Sequence, residues 1–436
     1  MEKRYIVEEQ HNIEIAGTSD VLVIGGGLAG VGAAVAAARN GASVTLLEKS
    51  CVLGGLATLG HVCVYMPLDD GQGHKIHGGL VEELLRVCIR YGYNTIPDCW
   101  MEGDPKPEEA IGRRYQSTFN IPACVMALDE YMKDEGVNVV FDTNFCTPIM
   151  EGNKCLGAIV ENKSGRTAYL AKMVVDASGD ADVLFRAGAD CETQKSIVSS
   201  WTYEVDTEKI KATPEKGILA NVKMRWFGLR PDVDNSESTI PTFYGTTSDG
   251  VNDYIKLSRS LALDYLKKNQ RESYAMMTLP FMPQFRMTRR LKGLAEMEVV
   301  SRKHVEHSIG CVIHCLENPE EVFEFPYEGL IDSKIENIAA AGRIVSAGGR
   351  AWEIMRFIPS CVLTGQAAGT AAAMAIKAGC TLQELDVAAL QENLAATGIL
   401  IHMTEELMNN PVKPKRVIDK TANTPQINTD SLSYNH

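Results

Sequence analysis

The chain has 436 residues, of which 45% are hydrophobic and 23% are charged, and its formal net charge is −13. This composition is typical of a globular protein with room for two or three domain-sized units, and the negative charge argues against nucleic acid as a partner because it repels polyphosphate. The twelve cysteines form no C-x-x-C pair, which excludes a disulfide scaffold or a four-cysteine cluster and predicts reduced thiols in the cytoplasm.

The first predicted elements lie in an uncharged run, VLVIGGGLAGVGAAVAAA, at residues 21–38. Such a run is at the lower limit for a membrane-spanning helix. The alternative is a βαβ unit, with strands at 20–24 (DVLVI) and 43–47 (SVTLL) and an Ala-rich helix at 28–40. Because the run is rich in glycine and lacks flanking aromatic residues, we predict the βαβ unit and no membrane segment.

The turn of this unit carries a nucleotide-binding pattern. Gly25, Gly27 and Gly30 have the spacing G-x-G-x-x-G, and Glu48 ends the second strand. In such a unit the first glycine permits the tight turn, the second lets the backbone approach a pyrophosphate, and the third lets the helix pack closely. The helix N-terminus then binds the phosphates, and the acidic residue binds a ribose diol.

Three later segments extend the pattern. The stretch EKSCVLGGLAT (48–58) follows the second strand, and an alternating segment at 138–182 ends in VVDASGD. A further apolar strand at 335–349 contains Gly342 and Arg343, and it precedes the Ala-rich helix predicted within 356–379. In this order the motifs resemble the FAD-dependent oxidoreductases of glutathione-reductase-like fold, which are related to the fumarate reductase and succinate dehydrogenase flavoproteins.

The resemblance implies an α/β fold in which a Rossmann-like FAD-binding domain with a β-meander is interrupted by a mixed α+β substrate domain. The implied units are residues 1–190 (FAD-binding, first part), 191–330 (substrate domain), 331–395 (FAD-binding, second part) and 396–436, a polar tail expected to be extended or partly disordered. In the family the last helix directs its N-terminus at the flavin, where its dipole stabilises negative charge.

The same resemblance implies that FAD is bound non-covalently. The residues expected to hold it are Gly25, Gly26, Gly27, Leu28, Ala29, Gly30, Glu48, Lys49, Gly54, Gly55, Leu56, Ala57, Thr58, Ser178, Gly179, Gly342, Arg343, Ser360, Cys361 and Val362.

Arginines are the predicted substrate ligands. Arg286, Arg289 and Arg290 cluster in PQFRMTRRLKG, and Arg356 precedes the last FAD helix. Arginine binds carboxylates through two parallel hydrogen bonds, and in fumarate-reductase-like relatives arginines clamp carboxylates and relay a proton. We therefore predict that Arg356 and either Arg289 or Arg290 hold an anionic, carboxylate-bearing substrate. The alternative is that each arginine belongs to a structural ion pair.

His61 follows the second glycine-rich stretch and is the predicted acid or base, with Cys63 and Tyr65 as lesser candidates. A covalent flavin link through His61 is the alternative, although its local motif differs from those of relatives that have one.

No metal site is predicted. His74 and His77 are either a metal pair or polar loop residues, and no third ligand is near them in the sequence. Cys311, His314 and Cys315 likewise lack a fourth ligand.

These features predict an FAD-dependent oxidoreductase that transfers a hydride between flavin N5 and a small anionic substrate, by dehydrogenation or alkene reduction. The alternative is an electron-relay flavoprotein subunit without substrate chemistry, although the segment 191–330 favours an enzyme because a relay needs no substrate domain. A second G-x-G-x-x-G is missing, so the electron donor or acceptor stays open. A homo-oligomer is possible.

Overall fold

The computed structural model describes residues 5–212, 222–229, 235, 238–314 and 321–409. Within these ranges the strands are β1 (Glu14–Ile24), β2 (Val44–Leu47), β3 (Val64–Tyr65), β4 (Ser117–Thr118), β5 (Asn138–Val140), β6 (Asn144–Glu151), β7 (Lys154–Asn162), β8 (Gly165–Asp176), β9 (Cys191–Thr193), β10 (Lys195–Ile197), β11 (Ser199–Asp206), β12 (Val222–Gly228), β13 (Thr242–Tyr244), β14 (Tyr274–Met276), β15 (Arg289–Leu291), β16 (Ser308–Ile313), β17 (Val322–Pro326) and β18 (Ile338–Ala340).

The α-helices within the same ranges are α1 (Leu28–Arg39), α2 (Leu80–Ile89), α3 (Pro107–Ala110), α4 (Ile121–Asp134), α5 (Asp182–Ala187), α6 (Thr207–Ala212), α7 (Ser248–Asn269), α8 (Arg350–Met355), α9 (Ile358–Ala378), α10 (Val387–Ala396) and α11 (Glu405–Asn409).

A seven-stranded sheet forms the centre of the fold. Its strand order is β5-β2-β1-β8-β7-β6, and β18 adds to β8. Strands β5, β2, β1, β8 and β18 are parallel, whereas β6, β7 and β8 form an antiparallel meander. Residues 21–24 of β1 are buried because β2 and β8 flank them and helices cover the sheet. The predicted α/β fold class with a β-meander is confirmed.

The register of the parallel strands brings four strand ends to one edge of the sheet. Ile24 of β1 lies opposite Leu47 of β2 and Asp176 of β8, and Asp176 in turn lies opposite Ala340 of β18. The turns that follow these residues are therefore neighbours, although the sequence separates them widely. In open parallel sheets this carboxyl edge is where ligands bind.

Helices α1 and α9 pack against each other by direct backbone contact. A Cβ atom on Gly365 would lie 2.1 Å from the carbonyl oxygen of Ala29, and one on Gly369 would lie 2.0 Å from that of Ala33. Only glycine fits at these two positions, so the uncharged run of the sequence is interior to the fold. No helix in the described ranges has the length and apolar character that crossing a membrane requires.

The segment from 191 to 330 forms several smaller sheets. One contains β12, β11 and β14, and the pairs β10–β13, β9–β15 and β16–β17 are separate. The segment also contains the 22-residue helix α7. Strand β16 contacts α9 of the central domain, so the end of this segment packs against the FAD-binding part of the fold; the domain boundaries themselves stay a prediction.

The segment 399–409, which the sequence analysis assigned to a polar tail, packs against the protein. Ile399, Ile401, Met403 and Leu407 are buried, and the carbonyl of Leu400 accepts a hydrogen bond from the Cys311 amide at 2.8 Å. The apolar residues alternate along this segment and face the protein interior. The prediction of a tail was wrong here because the average composition of 396–436 is dominated by the polar residues after 409. Residues 410–436 lie outside the described residues.

His74 also contacts this C-terminal segment, through Glu406. Its Nδ1 lies 2.8 Å from Asp70 Oδ2, and its Nε2 lies 3.2 Å from Glu406 Oε1. Burial opposes protonation, but the hydrogen bonds and charges of Asp70 and Glu406 outweigh it and raise the pKa of His74 above 6.5. His77, in contrast, is fully buried, and burial lowers its pKa to about 3. The two histidines therefore occupy different environments.

We expect the stability of the protein to fall as pH rises through the pKa of His74. A pKa raised in the folded state means that His74 stabilises the fold fully below its ordinary value of 6.5 and loses this contribution above its folded pKa. Melting temperatures of the wild type and of His74→Gln, measured from about pH 5.5 to about pH 8.5, test this. The wild type should lose stability relative to the variant across this range; parallel pH profiles would contradict the assignment.

Candidate active site

In the glycine-rich turn after β1, two glycines pack so closely against backbone atoms that no side chain fits there. Gly25 has φ 110°, and a Cβ there would lie 2.3 Å from the carbonyl oxygen of Ala177. A Cβ on Gly30 would lie 1.9 Å from the carbonyl oxygen of Gly25. These glycines let the turn pass close to β8 and let α1 begin immediately after it.

Gly27 differs from both because it faces open space. Its φ is −65°, and apart from its two chain neighbours no described residue has an atom within 4 Å of the position a Cβ would take. It is the N-cap of α1, where no side chain caps the helix and the first turn holds no acidic residue. The first N–H groups of α1 lack partners within the helix, so the turn presents donors and free space to an anion such as a pyrophosphate.

Glu48 anchors this turn to the end of β2. Its carboxylate is buried; Oε2 accepts a hydrogen bond from the Gly26 amide at 2.7 Å, and Oε1 accepts one from the Ser50 amide at 2.8 Å. The sequence predicts a ribose contact for Glu48, and each oxygen keeps a lone pair for one. The contacts within the chain add a second role, because they hold the fingerprint turn in place. Lys49 is exposed.

The second glycine-rich stretch lies against the first. Gly54 and Gly55 have φ of 98° and 55°, and the Gly54 amide donates to the carbonyl of Gly26 at 2.8 Å. A Cβ on Gly55 would lie 3.2 Å from Gly27 Cα, while Thr58 closes the turn by donating to the Leu53 carbonyl at 2.6 Å. Leu56 and Ala57 lie within this turn.

The turns after β8 and β18 are joined by Arg343. Its guanidinium donates to the carbonyl of Gly179 at 2.6 Å, to Asp180 at 2.9 Å and to the carbonyl of Phe285 at 2.8 Å. On the β8 side, Asp176 accepts hydrogen bonds from the amides of Ser178, Val183 and Leu184. Ser178, Gly179 and Arg343 therefore form one fixed corner beside the fingerprint turn.

Helix α9 begins at this same corner. No side chain caps its first turn and no acidic residue lies there. The Gly342 amide donates to Thr364 Oγ1 at 2.9 Å, which fixes the β18 turn to the helix. Ser360 and Val362 are buried, and burial raises the pKa of Cys361 to about 12, so it carries a thiol at neutral pH. Two uncapped helix N-termini and the open space at Gly27 thus fit a dinucleotide cofactor.

His61 lies just beyond the second glycine-rich stretch in a strained backbone conformation. Its φ is 57°, and its neighbours hold it there: its carbonyl accepts from Trp201 Nε1 at 3.0 Å, and the Gly60 carbonyl accepts from Gln284 Nε2. His61 is 7% exposed and its Nδ1 has no partner among the described residues. Burial lowers its pKa below 6.5. A strained residue with an unpartnered buried nitrogen is typical of a functional site.

Arg286 lies in the same region, because it stacks on Trp201, the residue that binds the His61 carbonyl, and on Trp226. Its guanidinium carbon lies 5.3 Å from the ring centre of Trp201 and 5.7 Å from that of Trp226. Nη1 donates to the carbonyls of Ser199 and Gln284 at 2.7 and 2.9 Å. No carboxylate in the described ranges lies within ion-pair distance of it. Burial lowers its pKa to about 10; the positive charge of Arg356 acts in the same direction, whereas Tyr254 and the negative charge of Glu353 oppose it.

Three predicted arginine ligands have carboxylate partners. Arg289 lies 3.4 Å from Asp182 and stacks on Phe185. Arg290 bonds to two glutamates, Glu192 at 2.5 Å and Glu296 at 3.1 Å, and only 5% of its side chain is exposed.

Arg356 pairs with Glu353 one turn before it and lies over the ring of Phe357. Ion pairs thus engage the guanidinium groups of Arg289, Arg290 and Arg356 alike, and the Arg356–Glu353 pair interacts electrostatically with Arg286. No substrate complex tests any of the three, and their roles stay predictions.

The remaining candidates have structural contacts. Cys63 Sγ lies 3.0 Å from the Tyr203 hydroxyl, and Tyr65, which is buried, donates to the Val81 carbonyl. Cys315 lies outside the described residues. Trp201 and Gln284, which position His61 and Arg286, were not singled out by the sequence analysis, because no local motif marks either of them.

A family model for FAD dependent oxidoreductases matches residues 20–200 and 246–394, and a search of curated proteins finds no match. Among solved structures, p-nitrophenol 4-monooxygenase PnpA from Pseudomonas putida DLL-E4 is 13% identical over 88% of each chain, with a TM-score of 0.48. The 3-ketosteroid-Δ4-(5α)-dehydrogenase from Rhodococcus jostii RHA1 is 14% identical over 83% of this chain and 98% of that chain, with a TM-score of 0.39.

A flavocytochrome c3 fumarate reductase in its open conformation is 15% identical over 82% of this chain and 78% of that chain, with a TM-score of 0.37. Likenesses this distant specify no activity. The family match instead spans most of the chain, including all four turns at the carboxyl edge of the sheet. The chain therefore belongs to the family of FAD-dependent oxidoreductases, and it is an enzyme whose cofactor is FAD.

Proposed function

We propose that the enzyme oxidises a small organic substrate that carries a carboxylate or a similar anion, with Arg286 and Arg356 as the anion ligands and His61 as the proton acceptor. The observation that carries the proposal is the state of Arg286: it is charged at neutral pH, it is stacked on two tryptophans, and no described carboxylate pairs with it. A half-buried guanidinium that stacks on aromatic rings and has no described carboxylate partner is a strong site for an anion.

The residues that suit FAD support the proposed oxidation. Gly27 and the start of α1 suit the pyrophosphate, Glu48 suits the ribose, and the uncapped start of α9 suits negative charge on the flavin. When bound, FAD supplies a group that accepts or donates a hydride. Loop 54–58 leads directly to His61, so the candidate proton acceptor follows the cofactor turn by only a few residues.

The electrostatics of His61 favour oxidation of the substrate over reduction. With a lowered pKa the imidazole is neutral at pH 7. A neutral imidazole accepts a proton from a substrate that is losing a hydride, whereas a reduction requires a donor that is protonated beforehand. The hydrogen bonds from Trp201 and Gln284 to the carbonyls of His61 and Gly60 hold the backbone that carries the imidazole in one conformation, which helps to position a general base.

Matched ligand pairs test the proposal. The FAD-loaded protein is titrated anaerobically with small carboxylates and with the corresponding amides, for example benzoate and benzamide or succinate and succinamide, while flavin absorbance and tryptophan fluorescence are recorded. A panel of oxidisable carboxylates then identifies a compound that reduces the flavin. Carboxylates should bind and the amides should not. Equal binding of both members of each pair would overturn the anion site, and reduction only by a protein partner would favour the electron-relay alternative.

The pH dependence of turnover gives a separate test of His61. A base with a lowered pKa stays active below pH 6.5 and loses activity only as pH falls through that lowered pKa. We expect kcat/KM of the wild type to be flat from about pH 6.5 to about pH 8 and to decline in acid. In His61→Gln the rate should fall by about 100-fold, within the usual range for a general base, and the acid limb should disappear. An unchanged acid limb in His61→Gln would assign it to another group.

A further inference from the structure

Away from the proposed active site, three side chains with metal-binding groups converge from three separate parts of the chain. His304 lies in the loop before β16, Glu324 lies in β17, and His402 lies in the segment after α10. One potential ligand atom from each lies within 4.8 Å of the others. The Glu324 Oε2 atom is 3.0 Å from His402 Nδ1 and 3.6 Å from His304 Nδ1.

Backbone hydrogen bonds fix the carboxylate in this position. Only 1% of the Glu324 side chain is exposed. Its Oε2 accepts from the Val305 amide at 2.8 Å, and its Oε1 accepts from the Met403 amide at 2.9 Å. Each donor is the chain neighbour of one of the two histidines, so the bonds that orient the carboxylate also bring both imidazoles towards it.

Among the described residues, hydrogen bonding to Glu324 accounts for only one of the two histidines. His402 is within hydrogen-bond distance of Glu324, but the 3.6 Å separation of His304 is too long for a hydrogen bond. Ligands about 2.0–2.1 Å from a tetrahedral zinc ion lie about 3.4 Å from each other, and the two measured distances lie on either side of this value. The side chain of His304 is 62% exposed, which leaves an approach for the ion and for water as a further ligand.

We propose that His304, Glu324 and His402 bind a first-row divalent transition-metal ion such as Zn²⁺. Two imidazole nitrogens and one carboxylate oxygen suit zinc, cobalt or nickel, whereas calcium and magnesium prefer oxygen ligands alone. Neither histidine belongs to a local motif, and no metal site was predicted from the sequence, since the three ligands come from distant positions.

The ion would tie the C-terminal segment to the body of the enzyme. Met403 and Leu407 pack in one apolar cluster with Phe357, the residue that precedes α9. Because His402 belongs to that segment while Glu324 belongs to β17, the ion links the two. The proposed role is therefore structural, and it predicts that zinc stabilises the whole protein by binding only the folded state.

The test uses the full-length, FAD-loaded protein, treated with a chelator and then freed of it. Zinc affinity is measured by competition with a chromophoric chelator, and the absorption of added Co²⁺ reports the coordination geometry. His304→Ala is the decisive variant because this side chain is exposed and its loss leaves the fold intact. His402→Ala is the second variant, and His307→Ala, a half-exposed histidine of the same loop that pairs with Glu328 instead, is the matched control.

The wild type and His307→Ala should each bind one zinc ion more than His304→Ala does, or bind it at least about tenfold more tightly, since even outer-sphere changes cost that much. Zinc should raise the melting temperature of the wild type and of His307→Ala but not that of His304→Ala. Equal zinc affinity and equal thermal shifts in all of these proteins would overturn the site. Background binding by cysteines is the same in every variant and cancels from the comparison.

Discussion

Gly27→Val should fold normally but fail to retain FAD. The φ of −65° suits any L-residue, and apart from the chain neighbours no described residue has an atom within 4 Å of the new Cβ, so the Cβ itself causes no clash. It instead fills the space beside the N-terminus of α1 that the pyrophosphate requires. We expect FAD affinity to fall by at least about 100-fold, equivalent to about 2.8 kcal/mol. The measurements are flavin absorbance per chain after gel filtration and the melting temperature of the cofactor-free protein.

Gly365→Val is the matched control for this prediction. The same substitution at Gly365 forces a Cβ to 2.1 Å from the Ala29 carbonyl oxygen at the α1–α9 contact. Because that neighbour is backbone and cannot easily move, the free energy of unfolding of the cofactor-free protein should fall by about 3 kcal/mol, the upper end of the usual range for overpacking. Gly27→Val should leave it unchanged. Full flavin occupancy in Gly27→Val would show that the phosphates bind elsewhere.

Arg286→Met should abolish most of the turnover of a carboxylate substrate while leaving the FAD content unchanged. Methionine keeps much of the stem that packs on Trp201 and Trp226 but removes the charge and the hydrogen-bond donors. Removal of one partner of a buried, charged hydrogen-bonded pair costs about 2–5 kcal/mol, or about 30-fold to several thousand-fold in kcat/KM. Arg286→Lys keeps the charge but not the planar fork, so its kcat/KM should lie between that of the wild type and that of Arg286→Met.

Two comparison variants separate this role from a structural one. Arg113→Met makes the same change at an exposed arginine and should have no effect. Arg290→Met removes the partner of Glu192 and Glu296, so it should lower the melting temperature more than it lowers kcat/KM. If Arg286→Met keeps full activity and Arg290→Met or Arg289→Met loses it at unchanged stability, then the assignment made from the sequence holds and the one made from the structure fails.

Much of the central domain could be predicted because its signals are local. The pattern Gly25-x-Gly27-x-x-Gly30 between two β-branched strands specifies a βαβ unit within about 30 residues. The glycine pair Gly365 and Gly369, one turn apart on an Ala-rich helix, marks a face for close packing, and α9 is the helix that uses it. The glycine spacing also predicts a different role for each of the three glycines. Only the structure shows that Gly27 faces open space while Gly25 and Gly30 face backbone.

The C-terminal segment and the proposed metal ligands show where local signals end. His402 lies 78 positions from Glu324 in the chain, and nothing in the residues around either one specifies the other. Met403 and Leu407 contribute to a cluster whose other members lie far away in the chain, from Phe357 back to Ile76. Composition alone therefore assigned this segment to a polar tail.

The amino-acid sequence by itself predicted the βαβ unit and its fingerprint turn, because periodicity and glycine spacing act between neighbours in the chain. The family and the cofactor followed from the resemblance that the order of the motifs carries. Only the tertiary structure shows which arginines of the cluster have carboxylate partners. Arg286 and Arg290 are four residues apart and indistinguishable as residue types. Arg290 meets Glu192, 98 positions away, whereas no described carboxylate pairs with Arg286. An ion pair depends on which chain segments the fold brings together, and that information is distributed over the whole chain.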